Sequence, residues 1–170
     1  IFSPHENAGD FCQEKKMKSG YFYFLSDKYC EQFADCGIMG NKESDQNGEH
    51  GRPCFYYYEY DGFYWFIPIS SRITKYKSIY SQKILRYPNY DGIRFGYVNG
   101  KESAFLIQNM CPAILKYIDK QYFIERGTVP VKVNDDLSKE LNKLAEKVIK
   151  LNKKGIKITI TNIKEIIKRL

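Results

Sequence analysis

The segment at 68–77, PISSRITKYK, contains the residue types best suited to chemistry. Two adjacent hydroxyls, Ser70 and Ser71, are followed by cations, of which Arg72 and Lys75 are the first. Such groups can donate hydrogen bonds and charge to a phosphate whose negative charge grows in the transition state. RNA carries its own nucleophile, the 2′-oxygen, so this set could cleave RNA without a metal ion. The same residues also fit an ordinary turn after a strand.

Other catalytic chemistries lack the residues that they need. The chain has two histidines, His5 and His50, and neither has the spacing of a metal ligand. His50 and Cys54 form the closest Cys–His pair, which is weak support for a cysteine nucleophile. No glycine-rich phosphate-binding motif of a nucleotide enzyme occurs. We therefore expect no metal ion and no cofactor.

The distribution of charge favours a nucleic acid as the partner. Residues 1–60 carry 6 Lys or Arg against 10 Asp or Glu, whereas 61–170 carry 21 against 10, for a net charge of +7. No acidic residue occurs between Asp61 and Asp91, where basic residues are interleaved with tyrosines, as phosphate contacts and ring stacking require. A solvated basic loop is the alternative. The candidate RNA-binding residues are Lys28, Arg72, Tyr76, Lys77, Lys83 and Arg86.

The elements that position these residues begin with strand signals. Residues 21–25, YFYFL, predict a strand, and Ser26 is placed to cap a short helix after it. Residues 37–53 contain four glycines and a proline, which predicts a long mobile loop. Asp61-Gly62 and Asn99-Gly100 each lie between strand-like runs and predict antiparallel hairpins, the second with two further loop residues.

Helix signals dominate the rest of the chain. Pro112 predicts the first turn of a helix that runs to about Tyr122. Residues 156–160 predict a short strand, and Thr161 predicts the cap of a last helix. Together the elements indicate the α+β class, with a curled antiparallel sheet and several helices. A long helix capped by Asn134 or Asp135 is predicted by Leu137, Leu141, Leu144, Val148 and Leu151.

Composition limits the class of protein. A length of 170 residues with 43% hydrophobic residues fits one folded domain. The mean hydropathy of -0.52 and the lack of a long apolar run argue against a membrane span. Five cysteines without a Cys-x-x-Cys pair favour reduced thiols in the cytoplasm. We expect residues 1–17 to be an N-terminal extension and 18–170 to be a single domain.

Three short motifs occur in the order found in a known family. They are YFYFLSDKYCEQF at 21–33, WFIPISS at 65–71 and IQNMCPA at 107–113. They resemble segments of the type III toxin–antitoxin endoribonucleases, the ToxN and AbiQ group, and are most similar to its CptN branch. The resemblance covers roughly residues 18–154, including the amphipathic helix at 137–151.

The resemblance implies a fold and an activity. The fold is a twisted, partly barrelled antiparallel sheet with about four helices, related to the MazF and Kid toxins. The activity is that of a metal-independent, sequence-preferring endoribonuclease whose products carry a 2′,3′-cyclic phosphate and a 5′-hydroxyl. The substrates would be cellular and phage RNA in the cytoplasm, and the outcome growth arrest or abortive infection. No membrane or lipid partner is implied.

The resemblance also implies that the inhibitor is RNA. In this family the toxin processes a repetitive antitoxin transcript into small pseudoknotted units. These units then occupy the basic groove of the toxin and hold it in a closed protein–RNA assembly. A cognate antitoxin RNA is therefore the expected partner.

The family's catalytic hydroxyls and lysine carry over to the PISSRITKYK segment. Its Thr-Ser pair falls on Ser70 and Ser71. The family lysine lies two residues further, where this chain has Ile73, so its role passes to Lys75. The alternatives for that lysine are Lys77 and Arg72.

Two residues at the end of the predicted loop complete the implied catalytic set. A second family lysine has its counterpart in Arg52. The neighbouring His50 could act as an acid or a base, since its unperturbed pKa lies near neutral pH. An exposed histidine without a catalytic role is the alternative.

Two other functional classes stay open at this point. A non-catalytic RNA-binding module would use the same basic and aromatic surface and would bind RNA without cutting it. A protein-interaction domain would instead dock an acidic partner on the lysine-rich face of the helix at 137–151.

Overall fold

The structure is a computed structural model that describes residues 16–46 and 48–170. Its longest strand pair forms around Asp61-Gly62, where β4 (Cys54–Tyr60) turns back into β5 (Phe63–Ser70). Asp61 and Gly62 both have positive φ, at 55° and 77°, as a two-residue type I′ turn requires. The predicted hairpin is confirmed.

A second hairpin forms at Asn99-Gly100. It joins β6 (Arg94–Val98) to β7 (Lys101–Phe105), and both turn residues have positive φ, at 50° and 73°. The hairpin is confirmed, but its loop has two residues rather than the four expected. The reason is that Lys101 and Glu102 already pair with β6.

The main sheet is built around β5. On one edge β5 pairs with β4, and on the other it pairs with β8 (Cys111–Ala113) and then with β7. Beyond β4 lie β1 (Phe22–Leu25) and β9 (Ile118–Gln121), which gives the order β6-β7-β5-β4-β1-β9. These pairs are antiparallel, so the predicted α+β class is confirmed. Within residues 16–46 and 48–170, no strand pair closes the sheet into a barrel.

Two short hairpins lie outside this sheet. β2 (Lys42–Asp45) pairs with β3 (Gly48–Gly51), and β10 (Phe123–Ile124) pairs with β11 (Val129–Pro130). The prediction of a long loop at 37–53 is therefore wrong. The strand β2 is short and polar, so hydrophobic alternation does not reveal it.

Four α-helices accompany the sheet in the described part of the chain. Ser26 and Asn134 each accept a backbone N–H at the start of a helix, as predicted for the first and the longest helix. None of the four is both long and apolar enough to cross a membrane. They are α1 (Asp27–Gln32), α2 (Ile73–Arg86), α3 (Asp135–Lys153) and α4 (Ile163–Arg169).

Much of the basic segment between Asp61 and Asp91 forms helix α2, so the alternative interpretation of this segment as a solvated loop is wrong. Ile73, Tyr76 and Tyr80 recur at helical spacing on one face of α2. They pack in a small core with Ile93 and Leu106. The basic side chains of this segment therefore extend from the remaining faces of a helix.

The predicted helix at 112–122 is wrong. Pro112 lies in β8 opposite Trp65 of β5, and residues 118–121 form β9 against β1. Pairing with the sheet buries all of Cys111–Ala113, and this tertiary burial outweighs the local preference for a helix.

The predicted end of the chain is also corrected. Residues 156–160 form no strand, and the side chains of Ile156, Ile158 and Ile160 are exposed. Thr161 is buried, and the cap of α4 is its neighbour Asn162, whose side chain accepts the N–H of Glu165. The last helix itself is confirmed.

Candidate active site

The hairpin β2–β3 presents three ionisable side chains on one face. Glu43 and Asp45 are two residues apart on β2, so their side chains point to the same side. His50 lies directly opposite Glu43 in the register of the pair and therefore shares that side. Hydrogen bonds join this face to the end of β5.

The end of β5 supplies the other half of the site. Ser70 is the last residue of β5, and Ser71 and Arg72 connect it to α2. The first turn of α2 contains no acidic side chain. The partial positive charge of the helix N-terminus is thus not neutralised within the helix.

The Glu43 carboxylate is the centre of a buried network. Its Oε2 accepts a hydrogen bond from Ser70 Oγ at 2.6 Å and pairs with Arg52 Nη1 at 2.8 Å. Its Oε1 accepts the Ser71 N–H at 2.7 Å. Burial acts to raise the pKa of Glu43, but the hydrogen bonds from both serines and the Arg52 charge outweigh it and lower that pKa. The carboxylate is therefore ionised at neutral pH and ties the hairpin to β5.

Arg52 is the counter-ion of Glu43 and is only 6% exposed. Its Nε donates to the Gly40 carbonyl at 2.7 Å, and its Nη1 donates to the Ile69 carbonyl at 2.8 Å. These contacts join the chain before β2 to the end of β5. Arg52 thus has a structural role in fixing the position of the hairpin.

His50 contacts both Asp45 and Ser71. Its Nε2 lies 3.1 Å from Asp45 Oδ2 and 3.4 Å from Ser71 Oγ, and its Nδ1 lies 3.1 Å from the Gly51 carbonyl. Since a carbonyl only accepts, Nδ1 carries a hydrogen, and Nε2 is the atom that gains or loses a proton. The hydrogen bond to Gly51, opposed by partial burial and reinforced by Asp45 and Glu43, raises the pKa of His50 above its ordinary 6.5.

Ser71 has one hydroxyl hydrogen but two carboxylates beside it. Its Oγ lies 2.7 Å from Asp45 Oδ2 and 2.8 Å from Glu43 Oε1. A single hydrogen can be donated to only one of these two carboxylates at a time. When His50 is protonated, its Nε2–H can serve Asp45 instead. Protonation of His50 therefore reduces the competition for the Ser71 hydroxyl hydrogen.

An open groove of about 1240 Å³ runs past these groups. Arg72 and Lys75 line it on the side of α2, and Lys101 lines it on the side of the β6–β7 turn. Glu102, a further lining residue, pairs with Lys77 at 2.9 Å. Lys75 forms no ion pair with any residue that the structure describes. The groove therefore offers cationic side chains to an anionic ligand.

Four of the five predicted catalytic residues line the groove, namely His50, Arg52, Ser71 and Lys75. Ser70 is 1% exposed and donates its hydroxyl hydrogen to Glu43. The expected contact of Ser70 with a phosphate is therefore corrected to a positioning role. Arg52 borders the groove, but its charge is matched by Glu43.

Of the predicted RNA-binding residues, some lie in or near the groove and others do not. Arg72 lines the groove, and its Nε donates to the Ser44 carbonyl at 3.1 Å. Tyr76 is 4% exposed in the core beneath α2, so its ring is not available to stack on a base. The expectation of Tyr76 as an RNA-binding residue is corrected for that reason. Lys77 lies near the groove, paired with Glu102.

The remaining three predicted RNA-binding residues do not line the groove. Lys83 and Arg86 lie in the last turns of α2, and Arg86 is about 16 Å along the helix axis from Lys75. Lys28 is an exposed residue of α1. A long RNA would have to extend beyond the groove to reach them.

The sequence analysis missed the two carboxylates of the site. Glu43 and Asp45 lie in the segment predicted as a loop, where an isolated acidic residue has no assignable partner. The Asn-Gly dipeptide at 47–48 is a hairpin signal that could have revealed them. It would have placed Glu43, Asp45 and His50 on one small hairpin.

Comparisons with known proteins assign no identity to this site. No protein-family model matches the chain, and no curated protein matches it in sequence. Within residues 16–46 and 48–170, no three His, Cys, Asp or Glu side chains form a group that could hold a metal ion.

The contacts of His50 predict its titration. We expect its pKa to lie above 6.5 in the folded protein and to fall in an Asp45→Asn variant, because the carboxylate that favours the imidazolium is lost. Titration of the imidazole proton signals by NMR measures both values. Because the folded-state pKa is raised, His50 stabilises the fold below about pH 6.5, and this contribution is lost as the pH rises through the folded-state pKa.

Glu49→Gln is the matched control for this titration. Glu49 lies on β3 next to His50, and its exposed side chain pairs with Lys42. This variant should leave the pKa of His50 unchanged. A pKa at or below 6.5 in the wild type, or one insensitive to Asp45→Asn, would contradict the proposed contacts.

Proposed function

We propose that the protein is a metal-independent endoribonuclease toxin that cleaves RNA through attack of the 2′-hydroxyl on the adjacent phosphate. The observation that carries this proposal is the contact of His50 Nε2 with Asp45 and Ser71 in an open groove lined by cations. A proton-exchanging imidazole, a hydroxyl donor and positive charge are the groups that this reaction needs.

The proposed step transfers protons without consuming water. Neutral His50 accepts the 2′ proton at Nε2 while the 2′-oxygen forms a bond to phosphorus. The bond from phosphorus to the 5′-oxygen breaks, and that oxygen takes a proton from water in the groove. The products are a 2′,3′-cyclic phosphate and a 5′-hydroxyl, and His50 then returns its proton to solvent.

Ser71 and the cations act on the phosphate in this proposal. As His50 becomes protonated, its Nε2–H can serve Asp45, which reduces the competition for the Ser71 hydroxyl hydrogen, and the hydroxyl can donate to a non-bridging oxygen. That hydrogen bond therefore forms as the negative charge on the phosphorane develops. Lys75 and Arg72 supply positive charge at the same place. Lys75 is thus our choice for the role of the family lysine.

The two carboxylates of the site do not oppose the binding of RNA. Glu43 is matched by Arg52, and the single charge of Asp45 is outweighed by the cations of the groove even while His50 is neutral. These cations are Lys75, Arg72 and Lys101, and they give the groove a net positive charge. Attraction of the phosphate backbone by such a surface weakens with salt.

The proposal extends to the control of the toxin. In keeping with the resemblance to the ToxN and AbiQ group, the protein would process its own repeat transcript and be held by the resulting pseudoknots in a closed assembly. Once released, it would cut cellular and phage RNA in the cytoplasm. We also propose that the sheet has the twisted, partly barrelled form of that group. The antiparallel pairing of its strands is compatible with this form.

Cleavage of a long unstructured RNA in excess EDTA, by protein stripped of nucleic acid, tests the proposal. We expect cuts that leave cyclic phosphates, with a rate about 100-fold lower in Ser71→Ala because one transition-state donor is lost. Lys75→Ala should also be slower. Lys164→Ala, which removes an exposed lysine of α4 far along the chain from the groove residues, is the matched control and should cut like the wild type.

Two results would contradict the proposal. Intact RNA together with salt-sensitive binding would leave a non-catalytic RNA-binding module. Fragments that carry 5′-phosphates, or scission that stops in EDTA, would exclude attack by the 2′-hydroxyl without a metal ion.

A further inference from the structure

Two aromatic side chains line the groove beside the candidate active site. Phe24 lies on β1, and Tyr122 directly follows β9, the strand paired with β1. Their ring centroids are 5.4 Å apart and the rings are nearly perpendicular, at 77°. Both side chains are half-buried, and both belong to the wall of the groove. Each therefore has a part that the protein covers and a part that a ligand can reach.

Gly51 lets the backbone of β3 pass close to the Phe24 ring. A Cβ atom at Gly51 would lie 2.9 Å from Cε1 of Phe24, so only a glycine lets β3 pass this close to the ring. Gly51 directly follows His50 and accepts the hydrogen bond from its Nδ1. The two rings and the His50 side chain all line the same groove, so one strand of RNA in the groove can contact both.

A cation accompanies the aromatic pair. Lys120 Nζ lies 5.6 Å from the centroid of the Phe24 ring, and the side chain of Lys120 is exposed. Flat apolar rings beside positive charge suit a ligand that has both a π-face and a negative charge. A nucleotide within a single strand has both, and stacking on aromatic rings accepts any base.

We propose that Phe24 and Tyr122 form a stacking subsite for one RNA base in the groove that holds the phosphate on which His50 and Ser71 act. Lys120 contacts a neighbouring phosphate of the same strand. This inference rests on the proposed function, because it assigns a binding role to the groove in which cleavage occurs. It also supplies the aromatic surface that Tyr76, buried on the inner face of α2, does not offer.

Binding of a short, fluorescein-labelled single-stranded RNA tests the subsite. Every ribose of the probe carries a 2′-O-methyl group, so the probe cannot be cut. We expect Phe24→Leu and Tyr122→Leu each to weaken binding about tenfold, through the loss of a stacking ring. Tyr122→Phe keeps the ring and should bind like the wild type. Tyr58→Leu, at an aromatic residue that is 59% exposed outside the groove lining, is the matched control.

A second measurement separates stacking from loss of folding. A 2-aminopurine base in the same probe should lose fluorescence on wild-type protein and on Tyr122→Phe, and keep it on Tyr122→Leu. Thermal melting confirms that each variant is folded. Folded leucine variants that bind and quench like the wild type would overturn the subsite while RNA cleavage by the wild type upholds the proposed function. A wild type that neither binds nor cuts RNA would overturn both.

Discussion

Replacement of His50 by glutamine should slow the cleavage of RNA by about 100- to 10,000-fold, the range typical of the loss of a general base. The amide of glutamine can still contact Asp45 but cannot accept the 2′ proton. Affinity for an uncleavable RNA should change little, because Arg72 and Lys75 are untouched. Single-turnover cleavage and probe binding by the same preparation measure the two quantities.

The pH dependence of the same reaction provides an internal check. Because the proposed step needs neutral His50, the rate should rise with pH through the raised pKa of this residue. Asp45→Asn lowers that pKa, so the rise should move to lower pH. Glu49→Gln should cut with the wild-type rate and pH profile. A His50→Gln variant that cuts as fast as the wild type would remove His50 from the mechanism.

Replacement of Glu43 by glutamine should lower the free energy of unfolding by about 3 to 5 kcal/mol. The variant keeps the size of the side chain but leaves the Arg52 guanidinium buried without its counter-ion, and it weakens the hydrogen bonds from Ser70 and Ser71. Urea denaturation at neutral pH measures the loss. Glu49→Gln, on the exposed side of the same hairpin, should change the stability far less.

A double variant and a pH series test the cause of that loss. Glu43→Leu together with Arg52→Met removes both buried charges and should recover much of the stability. Since the pKa of Glu43 is lowered on folding, its contribution is present above about pH 4.5 and is lost as the pH falls through the folded-state pKa. The gap between the wild type and Glu43→Gln should therefore narrow in acid. If the difference in the free energy of unfolding is the same at neutral pH and in acid, the loss comes from packing rather than from charge.

Local sequence signals predicted the elements whose cause is local. Asp61-Gly62 and Asn99-Gly100 form hairpins because their residues tolerate positive φ, and α3 forms because its leucines share one face. The helix prediction for residues 112–122 failed because parts of this segment pair as strands with β5 and β1. Those partners are distant in sequence. The sequence signal for α2 is weak, because the helix is largely polar and only Ile73, Tyr76 and Tyr80 mark its inner face.

The candidate site was predictable to the same extent. Ser71, Lys75 and His50 were identified by residue type and by resemblance, and the groove brings them together. The structural roles of Ser70 and Arg52 were not predicted, because both depend on the burial of Glu43. A carboxylate that pairs with residues on another strand leaves no pattern in its own segment.

The candidate site is divided between two separate sheets. Ser71 and Arg72 follow the main sheet, whereas Asp45 and His50 belong to a two-stranded hairpin. An isolated pair of strands is marginally stable in water, so this hairpin depends on its docking through Glu43 and Arg52. It is therefore a unit that can open locally while the rest of the chain stays folded. Separation of the hairpin from the main sheet would take Asp45 and His50 away from Ser71 and so disassemble the site. Renewed docking through Glu43 and Arg52 would reassemble the site without refolding of the domain.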